Sequence, residues 1–71
     1  MADIQKGDIV VFKATPNSGE MIVQEVLNKA PRFTGVSIDN PLLSVQFWDG
    51  KKQRYEYDNF YFKDVVFVRR D

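Results

Sequence analysis

"VQFWDGKKQRYEY", residues 45–57, holds the only tryptophan of the chain, set beside Asp49-Gly50 and followed by two lysines and an arginine. Asp-Gly between alternating apolar residues is the strongest short-range hairpin signal. A strand therefore ends near Phe47 and another begins near Gln53. How the loop is cut decides which side chains face inward, because opposed residues of paired strands share a face. A two-residue turn at Asp49-Gly50 opposes Phe47 to Lys52 and Val45 to Arg54, which sets cations in the apolar row. A three-residue loop, Trp48-Asp49-Gly50, with Gly50 left-handed after a type I turn, opposes Val45 to Gln53 and Leu43 to Tyr55. Leu43, Val45, Phe47, Tyr55 and Tyr57 then share the inward row, and Ser44, Gln46, Lys52, Arg54 and Glu56 face water. The three-residue loop satisfies both strands and is the expected register. It makes Phe47 the core aromatic. Trp48 becomes a half-buried lid in the loop, lying over the stem of Lys51 or Lys52 or on the rim.

Working outward, "DIVVFK" (residues 8–13) follows Gly7 and reads as a strand, apolar on both faces and so covered on both for part of its length. "ATPNSG" (residues 14–19) is turn chemistry. Residues 20–31 are ambiguous. Ile22, Val23, Val26, Leu27 and Ala30 fit a helical stripe stopped by Pro31, while the β-branched residues fit a strand equally well. A strand is the expectation, because a lone helix leaves too few strands to complete a sheet. Residues 28–41 form the longest irregular stretch, a length that marks a functional or mobile loop. Within it, Val36 and Ile38 form a short strand or pin the loop to the core. "DNFYFKD" (residues 58–64) breaks the alternation and predicts a helical or 3₁₀ turn capped by Asp58 or Asn59, with Phe60 and Phe62 packed into the end of the core. "VVFVRR" (residues 65–70) is the final strand.

Seventy-one residues make one domain with a small core and modest stability. There is no cysteine, so no disulfide assists and a reducing compartment is expected. With 44% hydrophobic and 28% charged residues the chain is globular rather than disordered. Ten basic residues balance ten acidic ones, which argues against nonspecific nucleic-acid binding. The first residues lack the apolar run of a signal peptide and no stretch is long enough to span a bilayer, so a cytoplasmic protein without membrane attachment is expected.

Five strands, one long loop, one tight hairpin and a short 3₁₀ turn before the last strand give an all-β fold in the order of a small SH3-like five-stranded barrel, a closure that removes exposed edges. "GDIVVFK" (residues 7–13), "GEMIV" (residues 19–23) and "LSVQFWDG" (residues 43–50) together resemble the YodC-like family of small uncharacterised bacterial proteins. The family pattern is Gly-Asp-x-Val-x-Leu-Lys, a Gly-rich turn with Met-x-Val, then x-Cys-x-Trp-Phe-Asp-Gly. Val45 stands at the Cys, Phe47 at the Trp and Trp48 at the Phe. The match runs, with a gap, from Gly7 to Gly50. The chain departs from the pattern in its longer 14–19 turn, its longer 28–41 loop and its "NFYF" segment. The resemblance implies the SH3-like fold and a bacterial source, and carries no reaction with it.

Catalysis is poorly supplied: there is neither histidine nor cysteine, so no catalytic residue, metal site or cofactor is expected. Asp58 and Asp64 flank one segment, but a solvated cap and turn explains them better than a cation site. The expected role is a non-catalytic binding or adaptor module whose partner is another protein. It would be met by Arg32 and Phe33 of the 28–41 loop with Phe60 and Tyr61 of the 58–64 segment. The aromatic groove that proline-rich peptides need is sparse, since the 14–19 turn has no aromatic residue. The alternative is RNA or DNA contact through Trp48 as a stacking ring with Lys51, Lys52 and Arg54. Glu56 on the same row and the zero net charge weigh against it. A monomer or a weak homodimer is expected.

Overall fold

The computed structural model describes residues 3–70. Five strands, β1 (Asp8–Phe12), β2 (Met21–Leu27), β3 (Leu42–Asp49), β4 (Arg54–Tyr61) and β5 (Val65–Arg70), form one antiparallel sheet in the order β4-β3-β2-β1-β5. Single 3₁₀ turns occupy Pro16–Ser18 and Phe62–Asp64. The fold is all-β as expected, and residues 21–27 are strand rather than helix. The sheet is open rather than closed into a barrel, with β4 and β5 as its edges. No described helix is long and apolar enough to cross a membrane.

Two register irregularities interrupt the sheet. Val23 opposes Val45 but Glu25 opposes Ser44, which leaves Gln24 as an extra residue in β2. A second shift, at Ile9/Val10, leaves Val68 extra in β5. Bulges of this kind raise local twist. The buried core comprises Val10, Met21, Val23, Leu43, Val45 and Val65, with Ile4, Phe12, Val26, Phe47, Phe60 and Phe62 packed around them. Phe47, Phe60 and Phe62 thus join the core side, as the sequence led us to expect. β1 is covered on both faces over its first three residues, Asp8 included.

The hairpin register differs from expectation. Asp49 opposes Arg54, Phe47 opposes Glu56 and Val45 opposes Asp58. The expected partner of Val45 was Gln53, so the displacement is 58 − 53, five residues. An odd displacement exchanges the two faces of a strand. Tyr55 and Tyr57 therefore point outward and are exposed, while Arg54, Glu56, Asp58 and Phe60 take the inward row. Trp48 lies in β3 rather than in a loop, and its ring meets Tyr55 edge-on at 5.2 Å rather than a lysine stem. The loop comprises residues 50–53. Its geometry explains the change: Asp49 Oδ1 accepts the backbone N–H of Lys51 (2.9 Å) and of Lys52 (3.2 Å), and Gln53 rather than Gly50 takes the left-handed conformation, with φ of 53°. β4 also runs on through Asp58 and Asn59, which cap nothing; the 3₁₀ turn begins at Phe62, without a side-chain cap.

The 28–41 loop folds back over the outward side of the sheet, where Leu42 opposes Tyr61 and Leu27. Leu42 is buried there although it stands on the outward row. Val36 is half-buried and Ile38 exposed, and a lone bridge joins Ser37 to Asn40. Asn40 braces the loop and ties it to the rest: its Nδ2 donates to the Gly35 carbonyl within the loop, and its Oδ1 accepts the N–H of Lys63 outside it. The Phe62 N–H donates to the Pro41 carbonyl at 2.9 Å.

Candidate functional site

Strand β4 separates two clefts. On the outward side, Leu27, Pro31, Arg32, Phe33, Leu42 and Asn59 are among the residues lining a groove of ≈ 360 Å³. The 28–41 loop forms one wall and the sheet the other. Phe33 is exposed and meets Tyr61 edge-on, with ring centroids 6.5 Å apart. Lys63 Nζ lies 5.7 Å from the centre of the Tyr61 ring, where the ring's negative face attracts it. Of the four residues expected to meet a protein partner, Arg32, Phe33 and Tyr61 come together on this side. Phe60 does not. It alternates to the inward row and packs against Phe12 at 5.0 Å.

The inward side of β4 borders the second cleft, a cavity of ≈ 300 Å³ walled by Phe12, Met21, Phe47 and Phe60 with Asp58 beside them. Sequence reasoning missed this cleft because it placed Asp58 in a turn. The signal that could have found it was the alternation Glu56, Asp58, Phe60, which matches Phe47, Val45 and Leu43 in reverse order.

The residues expected to meet nucleic acid are divided by the register. Trp48 is exposed on the outward row with Tyr55 and Tyr57. Gln46 Nε2 donates to the Tyr57 hydroxyl at 3.4 Å, and Gln24 Nε2 donates to Gln46 Oε1 at 3.1 Å, extending that row across three strands. Arg54 stands on the opposite, inward row. Its Nε donates to Glu56 Oε1 at 2.7 Å, and Lys52 Nζ reaches the same oxygen at 3.4 Å. The hydrogen bond from Arg54 holds the Glu56 carboxyl below its ordinary range and raises the Arg54 guanidinium above its own. Backbone N–H groups of Lys52 and Lys51 likewise lower Asp49. Lys52 and Arg54 thus serve the hairpin's own Glu56, and Trp48 stands on the row opposite to Arg54.

At the opposite edge, Asp8 is buried and structural. Arg70 Nε and Nη2 donate to its two oxygens at 2.8 and 3.1 Å, and the Gln5 N–H donates at 3.0 Å. The Arg70 bond is the main reason the Asp8 carboxyl lies below its ordinary value; desolvation opposes it and Gln5 adds to it. Asp8 is sealed by these partners at the start of β1, beside the edge strand β5, rather than by a deep core. No family model, curated protein or solved structure matches the chain.

Proposed function

We propose that this chain is a small non-catalytic binding or adaptor module that recognises another protein through the groove between the 28–41 loop and the outward side of β4. The observation that carries this reading is the exposed Phe33 held edge-on to Tyr61 over a groove floored by Leu27 and Leu42. Aromatic anchors beside an apolar floor, with Arg32 alongside, have the composition of an interface centre. Asn40 braces the loop internally through Gly35 and ties it to Lys63, so the groove is preformed and loses little ordering entropy on binding. The reading also rests on an SH3-like architecture. The antiparallel order β5-β1-β2-β3-β4 and the 3₁₀ turn before β5 support it, as does the resemblance of residues 7–50 to the YodC-like family. A cytoplasmic bacterial setting follows from the same resemblance and from the absence of cysteine.

The test is affinity capture with the intact chain and with an Arg32→Glu, Phe33→Ala variant. The partner bound by the parent chain is lost or strongly weakened in the variant; equal capture by both overturns the groove. Titration with mixed single-stranded oligonucleotides checks the alternative partner class. Quenching of Trp48 that weakens with added salt would transfer the function to nucleic acid.

A further inference from the structure

Asp58 lies on the core side of the sheet, opposite Val45 and two residues before Phe60. Next to it Phe12, Met21, Phe47 and Phe60 wall the ≈ 300 Å³ cavity, and Trp48, which stands on the outward row of β3, borders it. Contact between Phe12 and Phe60 makes the apolar wall continuous from β1 to β4. Among the described residues, no lysine or arginine lines the cavity. Two carboxylic residues do, and they differ. Glu20 is held bidentately by Arg69, at 2.7 and 2.9 Å. Asp58 accepts the N–H of Asn59 at 2.7 Å and forms no ion pair among the described residues. Glu56, its neighbour on the inward row, is already engaged by both Arg54 and Lys52. Charges pointing inward on an edge strand guard against edge-to-edge pairing. That accounts for a charge at position 58, but not for an aromatic cavity beside it.

We propose that this cavity binds a compact alkylammonium group, with its methyl or methylene shell against Phe12, Met21, Phe47 and Phe60 and its charge on the Asp58 carboxylate. An anion would meet a carboxylate and no cation. A neutral apolar ligand would strip water from Asp58 without giving it a partner, which is costly. An ammonium with an apolar shell satisfies both walls, and the negative faces of aromatic rings add to the attraction. The volume is at the small end of ligand sites, about 300–1,000 Å³, and suits one such group. A lysine or methyl-lysine side chain of a peptide and a free quaternary amine share this chemistry. The site is independent of the groove at Phe33, which lies on the other side of β4.

The experiment titrates the intact protein with tetramethylammonium and with Nα-acetyl-trimethyl-lysine amide, each against a neutral isostere, neopentyl alcohol for the first and, for the second, the same amide with C(CH3)3 in place of N(CH3)3. Amide chemical shifts and Trp48 emission report binding. The ammonium probes should shift Phe12, Trp48 and Phe60 saturably and bind about tenfold more tightly than the isosteres. Asp58→Asn should abolish that preference, and Asp58→Glu, which keeps the charge, should retain part of it. Tighter binding of the lysine derivative assigns a peptide side chain as the source; tighter binding of tetramethylammonium assigns a free amine. Equal affinity for cation and isostere, an unchanged preference in Asp58→Asn, or no saturable shift overturns the proposal.

Discussion

The two faces of the β3–β4 ribbon are built by opposite logic. On the outward face like meets like: Trp48 against Tyr55, and Gln46 against the hydroxyl of Tyr57. On the inward face unlike residues meet: Phe47 against Glu56, and Val45 against Asp58. Local hydrophobicity alone would exchange the faces of β4 and bury the two tyrosines. What tips the balance lies further along the strand. The observed parity turns Phe60 inward against Phe12, where the core is well enclosed; the exchanged parity would turn it outward. Phenylalanine has no polar group to satisfy, whereas each buried tyrosine needs a partner for its hydroxyl. The cavity beside Asp58 and Phe47 lets Asp58 keep contact with water on a nominally inward row. A strand's parity is thus fixed by its best-buried residue, and its remaining side chains take the face that follows.

The sharpest way to break this comparison is to truncate one ring on each face. Phe60→Ala should cost about 2–3 kcal/mol in urea unfolding, since it opens a cavity next to the core. Tyr57→Ala should cost less than about 0.5 kcal/mol, as an exposed position does. A reversed order would restore the exchanged register. Next in size is the buried acid, which contrasts with the water-exposed Asp58. Asp8→Asn removes the charge from two hydrogen bonds with Arg70 and should cost about 2 kcal/mol near neutral pH. The folded-state value of Asp8 lies below the ordinary carboxyl value of 3.8, so its contribution is fully present above about pH 4 and is lost as pH falls through the folded value. The acid limb of the stability profile should therefore be flatter in Asp8→Asn than in the parent chain. Identical limbs would show that Asp8 and Arg70 do not hold the sheet edge together in solution.

Strand number and most of the core were legible because β-branched and aromatic residues are concentrated in runs of five to eight residues in β1, β2 and β3. The assignment of residues 21–27 followed from the need for a complete sheet, and periodicity alone did not contain it. The hairpin was misread for a specific reason. Asp49-Gly50 signals a turn without fixing its length, and the deciding features are a carboxylate taking two backbone N–H groups and a left-handed Gln53, a residue type with no special preference for that conformation. The same misreading divided the candidate site, since the parity of β4 determines that Tyr61 joins Phe33 while Phe60 does not. Burial of Leu42 on an outward row was also invisible, because it depends on the 28–41 loop folding over it.

Smaller effects test the loop that sets the register. Gln53 occupies a conformation that costs a residue bearing a Cβ roughly 1–2 kcal/mol relative to glycine. Gln53→Gly should stabilise the protein by about 0.5 kcal/mol, because relief of that strain is partly offset by the greater freedom of glycine in the unfolded chain. A loop made of Trp48-Asp49-Gly50 would instead place Gln53 within a strand, where glycine destabilises, so the sign of the change separates the two registers.

The smallest expected change concerns the ring pair that the register creates. Trp48 and Tyr55 meet edge-on, with planes 73° apart, on an exposed face. Aromatic pairs contribute about 0.5–1.5 kcal/mol beyond their buried area, and exposure puts this pair at the low end. Tyr55→Ala should thus lower stability by about 0.5 kcal/mol. Its optical effect should be larger in proportion, since Trp48 is the only tryptophan and loses a neighbour on one side. Its emission should move to longer wavelength and its near-ultraviolet dichroism should weaken, while Lys51→Ala and Lys52→Ala leave both unchanged. The opposite pattern, with the lysine variants shifting Trp48 and Tyr55→Ala silent, would return the indole to the loop as a lid over a lysine stem. The outward row would then lose the aromatic pair that makes the two faces differ.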